Sequence, residues 1–191
     1  MILSQINPHF LYNTLTAIAR LCEKDPPMAK ETTLNFSAYL RSNMNALNRK
    51  TPIAFEKELD HVKKYLAIEQ VRYADALKVV YDIQAERFLL PALSLQPLVE
   101  NAVKHGVGMK EEGGTITLAT RETPDCFLVT VTDDGVGFDP ERPKQDGRTH
   151  VGIANVRARP DKMMHASLSL ESRMGAGTVA TIRIPKEGEN A

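Results

Sequence analysis

The chain contains little cysteine, no tryptophan and no excess of charge. Its 191 residues include two cysteines, and 24 Lys and Arg balance 24 Asp and Glu. Cys22 and Cys126 lie far apart and form no CxxC or Cys/His ligand spacing. This spacing excludes a cysteine metal site, argues against a disulfide framework and favours a reducing, cytoplasmic setting. The balanced charge excludes binding of nucleic acid or an anionic membrane through bulk charge.

Long apolar runs are also missing from the sequence. No apolar stretch approaches the ~18 residues that a membrane span needs, and the N-terminus lacks the basic start and apolar stretch of a signal peptide. We therefore expect a soluble chain, or the soluble part of a longer one. With 42% hydrophobic residues among 191, it can bury one good core and a second, small helical unit.

The first part of the chain has the apolar spacing of α-helices. One run covers residues 2–21 and is broken by Asp25-Pro26-Pro27, a second continues to residue 47, and a third covers about residues 55–73. The first two runs predict an antiparallel hairpin. We place the helical unit at residues 1–76.

Beyond Leu77 the apolar pattern alternates as in β-strands. Five strands are predicted from LKVVYDI, TITLATRE, CFLVTVTD, SLSLES and TVATIRIP. A helix that ends at Gly106 is predicted from LSLQPLVENAVKHGV, and a short helix is expected near Val156. The predicted class is therefore α+β, with the helical unit followed by a helix-and-sheet sandwich at residues 77–191.

Three stretches of this second part carry chemical groups. The predicted helix presents Asn101, Lys104 and His105 within little more than one turn. An amide, an ammonium and an imidazole suit a triphosphate with Mg²⁺, but a solvated helix end explains them equally well. Asp133 ends a strand in DDGVG, where a carboxylate can accept from an exocyclic amine, although DDG is also a common turn. GAGT before the last strand is by itself more often a hairpin.

The stretch QINPHFLYNTL near the N-terminus places Pro8 directly before His9. Two interpretations are open on this stretch alone. Asn7 can cap a helix whose first position is Pro8, which leaves His9 an early, solvated residue. Alternatively, Pro8 interrupts a longer helix because its ring removes one backbone hydrogen bond, and His9 then lies on a kinked, exposed face.

Taken in order, ENAVKH, DDGVG, VGIANVR and GAGT resemble the N box and glycine boxes of the GHKL nucleotide-binding fold, which histidine kinases share with gyrase and mismatch-repair ATPases. The match covers roughly residues 77–185. Together with QINPHFLYNTL, it makes the chain similar to the transmitter region of LytS-type sensor histidine kinases. The resemblance implies a helical hairpin followed by a GHKL (Bergerat) α/β sandwich with a mixed, mainly antiparallel sheet.

The resemblance also implies an activity and its residues. Such a kinase binds ATP and Mg²⁺, phosphorylates its own histidine and passes the phosphate to an aspartate on a response regulator. The implied phosphoacceptor is His9, flanked by Asn13 and Gln5, and the implied Mg²⁺ ligand is Asn101. The implied nucleotide-binding residues are Glu100, Asn101, Lys104, His105, Asp133, Gly135, Gly137, Gly152, Gly175, Gly177 and Thr178.

Within this set the resemblance implies different contacts. Lys104 and His105 would contact phosphates, as would Gly152 at the start of a helix. Asp133 would read the adenine amine, with Thr178 beside it. The remaining glycines would line the base and the floor of the site, and the polar residues 138–151 would form a mobile ATP lid.

Three departures from the family pattern bear on these assignments. Phe10 follows the histidine where many histidine kinases have an acidic residue, which leaves the general base open, and none is needed if the imidazole is already neutral. His150 stands where a glycine often opens the second glycine box, and Pro160 stands where a leucine is usual. The last two affect lid closure and ATP affinity.

Two other functions are compatible with the resemblance. A GHKL ATPase would hydrolyse ATP, but the glutamate that activates water in those enzymes lies one helical turn before the N-box asparagine, and that position is Pro97. A degenerate module would hold nucleotide without chemistry, and only His150 and Pro160 support it. The histidine kinase is the favoured interpretation.

Partners and location also follow from the resemblance as expectations. We expect a homodimer through the helical region, weak in this chain because Met1 stands only eight residues before His9. The receiver domain of a response regulator would take the phosphate, and no nucleic acid is expected as a partner. We expect a cytoplasmic fragment of a longer protein that upstream segments anchor in the cell membrane.

Overall fold

The computed structural model describes residues 8–47, 51–139 and 164–186. The helices in these ranges are α1 (Pro8–Lys24), α2 (Pro26–Leu47), α3 (Phe55–Tyr73) and α4 (Gln96–Asn101). Asp25 separates α1 from α2, and its Oδ1 accepts a hydrogen bond from Met28 N at 3.0 Å. An aspartate cap followed by proline at the first helical position is a favoured helix start, so the predicted break is confirmed.

An aromatic cluster holds α1 and α2 against α3. The ring centroid of Phe10 lies 6.1 Å from that of Phe36, 5.2 Å from that of Tyr39 and 5.3 Å from that of Tyr65. All four side chains are buried. Consecutive helical residues point about 100° apart, so the burial of Phe10 turns the neighbouring His9 outward, and His9 is exposed.

The strands in the described ranges are β1 (Ile53–Ala54), β2 (Leu77–Ile83), β3 (Leu89–Leu90), β4 (Gly114–Glu122), β5 (Cys126–Asp133), β6 (Ser167–Ser172) and β7 (Thr178–Pro185). Five of them form one sheet in the order β2-β4-β5-β7-β6. β2 and β4 are parallel, and the other three pairings are antiparallel. The predicted α+β class with a mixed, mainly antiparallel sheet is confirmed.

A second, two-stranded sheet joins the start of α3 to the segment before α4. β1 pairs antiparallel with β3, Phe55 N donates to Phe88 O at 3.0 Å, and the two phenyl rings stack at 4.7 Å. The sequence analysis missed this sheet, because strands of two residues are too short to show an alternating pattern.

One hydrophobic core extends through the described residues. It includes Tyr39 on α2, Leu66 on α3, Val99 on α4 and Ile182 on β7. α3 contacts α2 on one side and β2 and α4 on the other. The division between residues 76 and 77 stays a prediction. Within the described ranges, no helix combines the length and the apolar character that a membrane crossing requires.

Several predicted features lie outside the described residues. They are Gln5, Asn7, Gly152, the short helix near Val156, His150, Pro160 and the greater part of the lid, residues 140–151. The two interpretations of Pro8 also depend on residues before α1, so both stay open.

Candidate nucleotide-binding site

A pocket lies between α4 and the ends of β5 and β7. Its lining residues are Leu98, Asn101, Ala102, His105, Gly106, Val131, Asp133, Phe138, Leu170, Thr178 and Ala180. Four predicted site residues therefore meet here, namely Asn101, His105, Asp133 and Thr178. The rest of the lining is mostly apolar, which suits a flat ring system with a few polar groups to orient it.

Asp133 forms one end of the pocket. Strand register places it directly opposite Thr178, the first residue of β7. The carboxylate is 4% exposed, and its Oδ1 accepts a hydrogen bond from Gly135 N at 3.0 Å. Burial raises the pKa of this carboxyl to about 6, and the neighbouring charge of Asp134 acts in the same direction.

Glycines surround Asp133 because side chains do not fit there. A Cβ on Gly106 would lie within 3.0 Å of the Asp133 carboxylate, and a Cβ on Gly135 would overlap the backbone of Gly106. Gly177 has φ +80°, and its Cα faces the Asp133 carbonyl. The predicted roles of Gly135 beside the base and of Gly177 in the floor of the site stay predictions. The role of Gly106 was missed, because it was predicted only to end the helix.

The other two described glycines of the predicted set differ in the space that a side chain would have. Gly137 has φ +59°, and a Cβ there would overlap the Arg173 carbonyl. Gly175 has φ +76°, but a Cβ there would meet nothing within 4 Å. Gly137 thus fixes the turn that leads out of β5, whereas Gly175 is required only for its backbone conformation.

Asn101 and His105 form the other end of the pocket. After Asn101 the helix continues as a π-helical turn over Ala102–Gly106, an uncommon conformation that is frequent at functional sites. The Asn101 side chain is buried at Nδ2, which has no hydrogen-bond partner among the described residues. A buried NH₂ group without an acceptor fits a ligand that supplies an oxygen, such as a phosphate, and the oxygen of the same amide is of the kind that coordinates Mg²⁺.

Glu100 and Lys104 do not line the pocket. Lys104 Nζ lies 3.0 Å from Glu100 Oε2, and both side chains are 25% exposed. Glu100 Oε1 accepts a hydrogen bond from Gln96 at 2.7 Å and one from the Tyr39 hydroxyl at 3.4 Å. Their predicted contact with nucleotide stays a prediction, and the structure adds that Glu100 joins α4 to α2.

The start of α4 is held by a buried carboxylate from α3. Glu58 accepts hydrogen bonds from Leu93 N at 3.0 Å and from Leu95 N at 3.1 Å. Leu93 has φ +60°, a region that residues other than glycine rarely adopt. Burial raises the pKa of Glu58, and its backbone hydrogen bonds oppose that shift. Glu58 therefore stabilises the turn that directs α4, a role that no short motif could reveal.

His9 lies apart from this lining, at the exposed start of α1. The Asn13 amide nitrogen lies 3.2 Å from His9 Nδ1 and 3.3 Å from Nε2. Asn13 is therefore beside the ring, as its i+4 position predicts. The chemical roles of both residues stay predictions.

Comparison with solved structures identifies the class of fold. The histidine kinase AdeS of Acinetobacter baumannii superposes with a TM-score of 0.57 at 13% identity, covering 94% of this chain and 98% of that chain. The histidine kinase domain of the blue-light-activated histidine kinase of Erythrobacter litoralis superposes with a TM-score of 0.54 at 18% identity, covering 83% and 74%. The fold is thus that of the histidine kinase catalytic domains.

Sequence comparison identifies the family. The histidine kinase model matches residues 1–77, and the model of histidine kinase-, DNA gyrase B- and HSP90-like ATPases matches residues 91–188. Sensor histidine kinase YpdA of Escherichia coli is 37% identical over 96% of this chain, and sensor protein LytS of Staphylococcus saprophyticus is 32% identical over 95%. The chain belongs to the histidine kinase family and is of the LytS type.

The relatives differ in length from this chain. It spans 33% of YpdA and 32% of that LytS protein. It spans 67% of the uncharacterized protein YwpD of Bacillus subtilis, to which it is 38% identical over 95% of its own length. Most of each sensor protein therefore has no counterpart in this chain.

Proposed function

We propose that this chain is the transmitter part of a two-component sensor histidine kinase. It binds ATP with Mg²⁺, transfers the γ-phosphate to His9 and passes it to an aspartate on a response regulator. The main support is the pocket, which has a buried carboxylate at Asp133 and, at Asn101, a buried amide nitrogen without a partner among the described residues. These two ends suit the base and the phosphates of one nucleotide.

Asp133 recognises adenine in this proposal. Its carboxylate accepts a hydrogen bond from the exocyclic amine. Gly106 and Gly135 have no side chains, which lets the helix end and the turn after β5 pack closely around this carboxylate. Thr178, opposite Asp133 in the sheet, lies at the same end. The apolar lining contributed by Leu98, Ala180 and their neighbours contacts the faces of the ring.

The phosphates lie at the α4 end. The Asn101 side-chain oxygen would hold Mg²⁺, and the ion would neutralise negative charge on the phosphates. The His105 imidazole lines the pocket and donates to a phosphate oxygen, and Lys104 approaches from the edge of the site. Gly152, which lies outside the described residues, would contribute its backbone N–H.

Transfer to His9 needs positioning more than covalent assistance. An unprotonated ring nitrogen of His9 attacks the γ-phosphorus, a nitrogen–phosphorus bond forms, and the bond to the bridging oxygen breaks as ADP leaves. The proton on the other ring nitrogen is then lost to solvent. Asn13 contacts the ring, and Phe10, anchored in the aromatic cluster, fixes the helix that carries it. The phosphate leaves His9 when an aspartate of the receiver domain attacks it.

Hydrolysis of ATP is disfavoured by the residues around α4. Pro97 occupies the position of the glutamate that activates water in the GHKL ATPases, and the adjacent Gln96 amide is engaged with His61 and Glu100. Among the described lining residues, the only carboxylate is that of Asp133. Among the described lining residues, no carboxylate therefore lies at the phosphate end to activate a water molecule as the glutamate of the GHKL ATPases does.

The test is transfer of label from γ-labelled ATP to the purified chain in the presence of Mg²⁺. We expect label on the protein that is released by acid and retained in alkali, as is typical of a phosphoramidate. Label that survives acid and is released by alkali would show a hydroxyl ester and contradict the proposal. A chain that binds ATP but never becomes labelled would also contradict it.

A further inference from the structure

We infer that Tyr39 is a positioning residue through which the helical hairpin orients the Glu100–Lys104 pair beside the nucleotide pocket. The inference rests on the proposed function, because it assigns Lys104 to the phosphates. It concerns a hydrogen-bond network that joins three helices, with Tyr39 on α2, His61 on α3 and Gln96 and Glu100 on α4.

Gln96 is the centre of this network. Its Oε1 accepts a hydrogen bond from His61 Nε2 at 2.7 Å, and its Nε2 donates to the Tyr39 hydroxyl and to Glu100 Oε1, both at 2.7 Å. Gln96 and His61 are buried, and the His61 and Tyr39 rings stack with centroids 5.0 Å apart and planes at 3°. Tyr39, His61 and Gln96 are therefore shielded from water. In such surroundings hydrogen bonds are strong, and water cannot easily replace them.

Donors and acceptors in the network allow a single arrangement. Rotating the Gln96 amide by 180° would place its oxygen against the Glu100 carboxylate, two acceptors facing each other. With the amide as it stands, His61 carries its proton on Nε2. Burial lowers the pKa of His61, which keeps the ring neutral. The Tyr39 hydroxyl, which accepts from Gln96, is left to donate to Glu100 Oε1 at 3.4 Å.

Glu100 connects this network to the pocket. Its Oε1 is held by Gln96 and Tyr39, and its Oε2 pairs with Lys104 Nζ at 3.0 Å. A lysine has three donors, and this pair occupies one of them. The other two N–H groups of Lys104 can point toward phosphate oxygens only if Glu100 keeps its orientation. The hydrogen bonds of Tyr39 to Gln96 and Glu100 therefore make the direction of Lys104 depend on the position of α2.

Tyr65 provides a matched control for Tyr39. It is a second buried tyrosine in the same aromatic cluster, with its ring centroid 5.8 Å from that of Tyr39. Its hydroxyl lies beside the Glu69 carboxylate and makes no hydrogen bond to Gln96 or Glu100. Tyr39→Phe and Tyr65→Phe each remove one buried hydroxyl from the same region, but only the first removes a bond to Gln96 and Glu100.

The experiment compares calorimetric affinities for ATP and adenosine in these variants. We expect Tyr39→Phe to reduce the preference for ATP over adenosine by about tenfold, the size of one lost hydrogen bond to a charged group, with adenosine affinity unchanged. Gln96→Met should act in the same direction, and Tyr65→Phe should keep the wild-type ratio. The rate of autophosphorylation should fall together with the ratio of ATP affinity to adenosine affinity.

Combination with Lys104→Met tests whether Tyr39 acts through the lysine. In that background we expect Tyr39→Phe to cause no further loss of the ATP preference. Additive losses, equal losses of ATP and adenosine affinity, an increased ATP preference in Tyr39→Phe, or the same loss in Tyr65→Phe would each overturn the inference. If the ratios behave as expected but His9 is never labelled, the inference stands and the proposed transfer fails.

Discussion

The two ends of the pocket are built in different ways. Around Asp133 the geometry comes from backbone: the register of β5 against β7 places Thr178 opposite, and glycines approach closely from both sides. Around Asn101 it comes from side chains of distant helices, because Glu58 holds the start of α4 and Gln96 joins it to α2 and α3. The first end therefore depends on strand pairing and close backbone packing, and the second depends on side-chain hydrogen bonds between helices.

We expect the two ends to bind different parts of the nucleotide. A base-recognition site needs one fixed shape, which backbone and glycine provide. In the proposed function the phosphate end delivers to His9 and has to respond to the position of the hairpin, and the contacts between α4 and α2 provide that link. The following predictions separate the two ends, beginning with the largest effect.

Asn101→Ala should weaken only the binding and transfer that require Mg²⁺. We expect transfer to fall by about 100-fold or more, because the variant lacks the oxygen that holds the metal against the phosphates. Nucleotide affinity without Mg²⁺ should change little, since the base contacts are intact. Calorimetry with and without Mg²⁺ beside label transfer measures this. An equal loss of affinity with and without Mg²⁺ would contradict the assignment of Asn101 to the metal.

Gly106→Ala should damage the backbone-built end. The added Cβ would lie within 3.0 Å of the Asp133 carboxylate, and we expect about 1–3 kcal/mol of lost folding stability with a fall in ATP affinity. Gly175→Ala adds a Cβ with nothing within 4 Å but at φ +76°, so only about 1 kcal/mol is expected. Denaturant unfolding of both variants measures the difference, and similar losses at the two positions would contradict this steric explanation.

Asp133 should make adenine binding selective and pH-dependent. A buried carboxylate without its donor costs about 1–3 kcal/mol, so ATP should bind at least about tenfold more tightly than GTP. Its pKa of about 6 means that adenosine affinity should fall as the pH drops through 6, and Asp133→Asn should abolish that dependence. Adenosine is the right ligand because it has no phosphate to titrate. Comparable GTP and ATP affinities would count against the assignment.

The same carboxyl should have the opposite effect on folding stability. Its pKa is raised in the folded state from 3.8 to about 6, so between these values the folded chain binds more protons than the unfolded chain. Its contribution to the free energy of unfolding therefore decreases as the pH rises through this window. Unfolding of wild type and Asp133→Asn at several pH values isolates that contribution. A rise in this contribution with pH would contradict the burial of the group.

The weakest expected effect concerns assembly through the hairpin. α3 covers Phe10, Phe36 and Tyr39, yet Tyr12 and Leu15 remain 71% and 55% exposed on α1. We expect a concentration-dependent monomer–dimer equilibrium that Leu15→Glu shifts toward monomer. Sedimentation over a wide concentration range measures it. A chain that stays strictly monomeric over this range, or a Leu15→Glu variant that dimerises as the wild type does, would contradict assembly through this face of the hairpin.

The sequence predicted one end of the pocket better than the other. Strand periodicity placed β5 and β7, and DDGVG and GAGT marked the turns at their ends, since short-range patterns report local backbone. The π-helical turn after Asn101, the Glu58 contact with Leu93 and the Gln96 network could not be predicted. The Glu58 contact and the bonds of Gln96 to His61 and Tyr39 join residues 35 to 57 positions apart, and such contacts leave no periodic signal.

Glu100 illustrates this limit. Its place in the N-box motif suggested a nucleotide contact, but the structure turns its carboxylate toward Tyr39 and Gln96. A motif records which residues occur together, whereas the direction of a side chain depends on the helices packed around it. Asn13 is the opposite case, because its contact with His9 lies within one helical turn and follows from spacing alone.

The most direct test of the account is a parallel measurement of ATP binding and label transfer in His9→Gln. His165→Gln is a matched control, since His165 is also exposed and lies outside the proposed site. We predict that His9→Gln binds ATP with wild-type affinity and acquires no label, while His165→Gln is labelled as wild type. Label reaching His9→Gln at the wild-type rate would contradict the central claim that His9 is the phosphoacceptor.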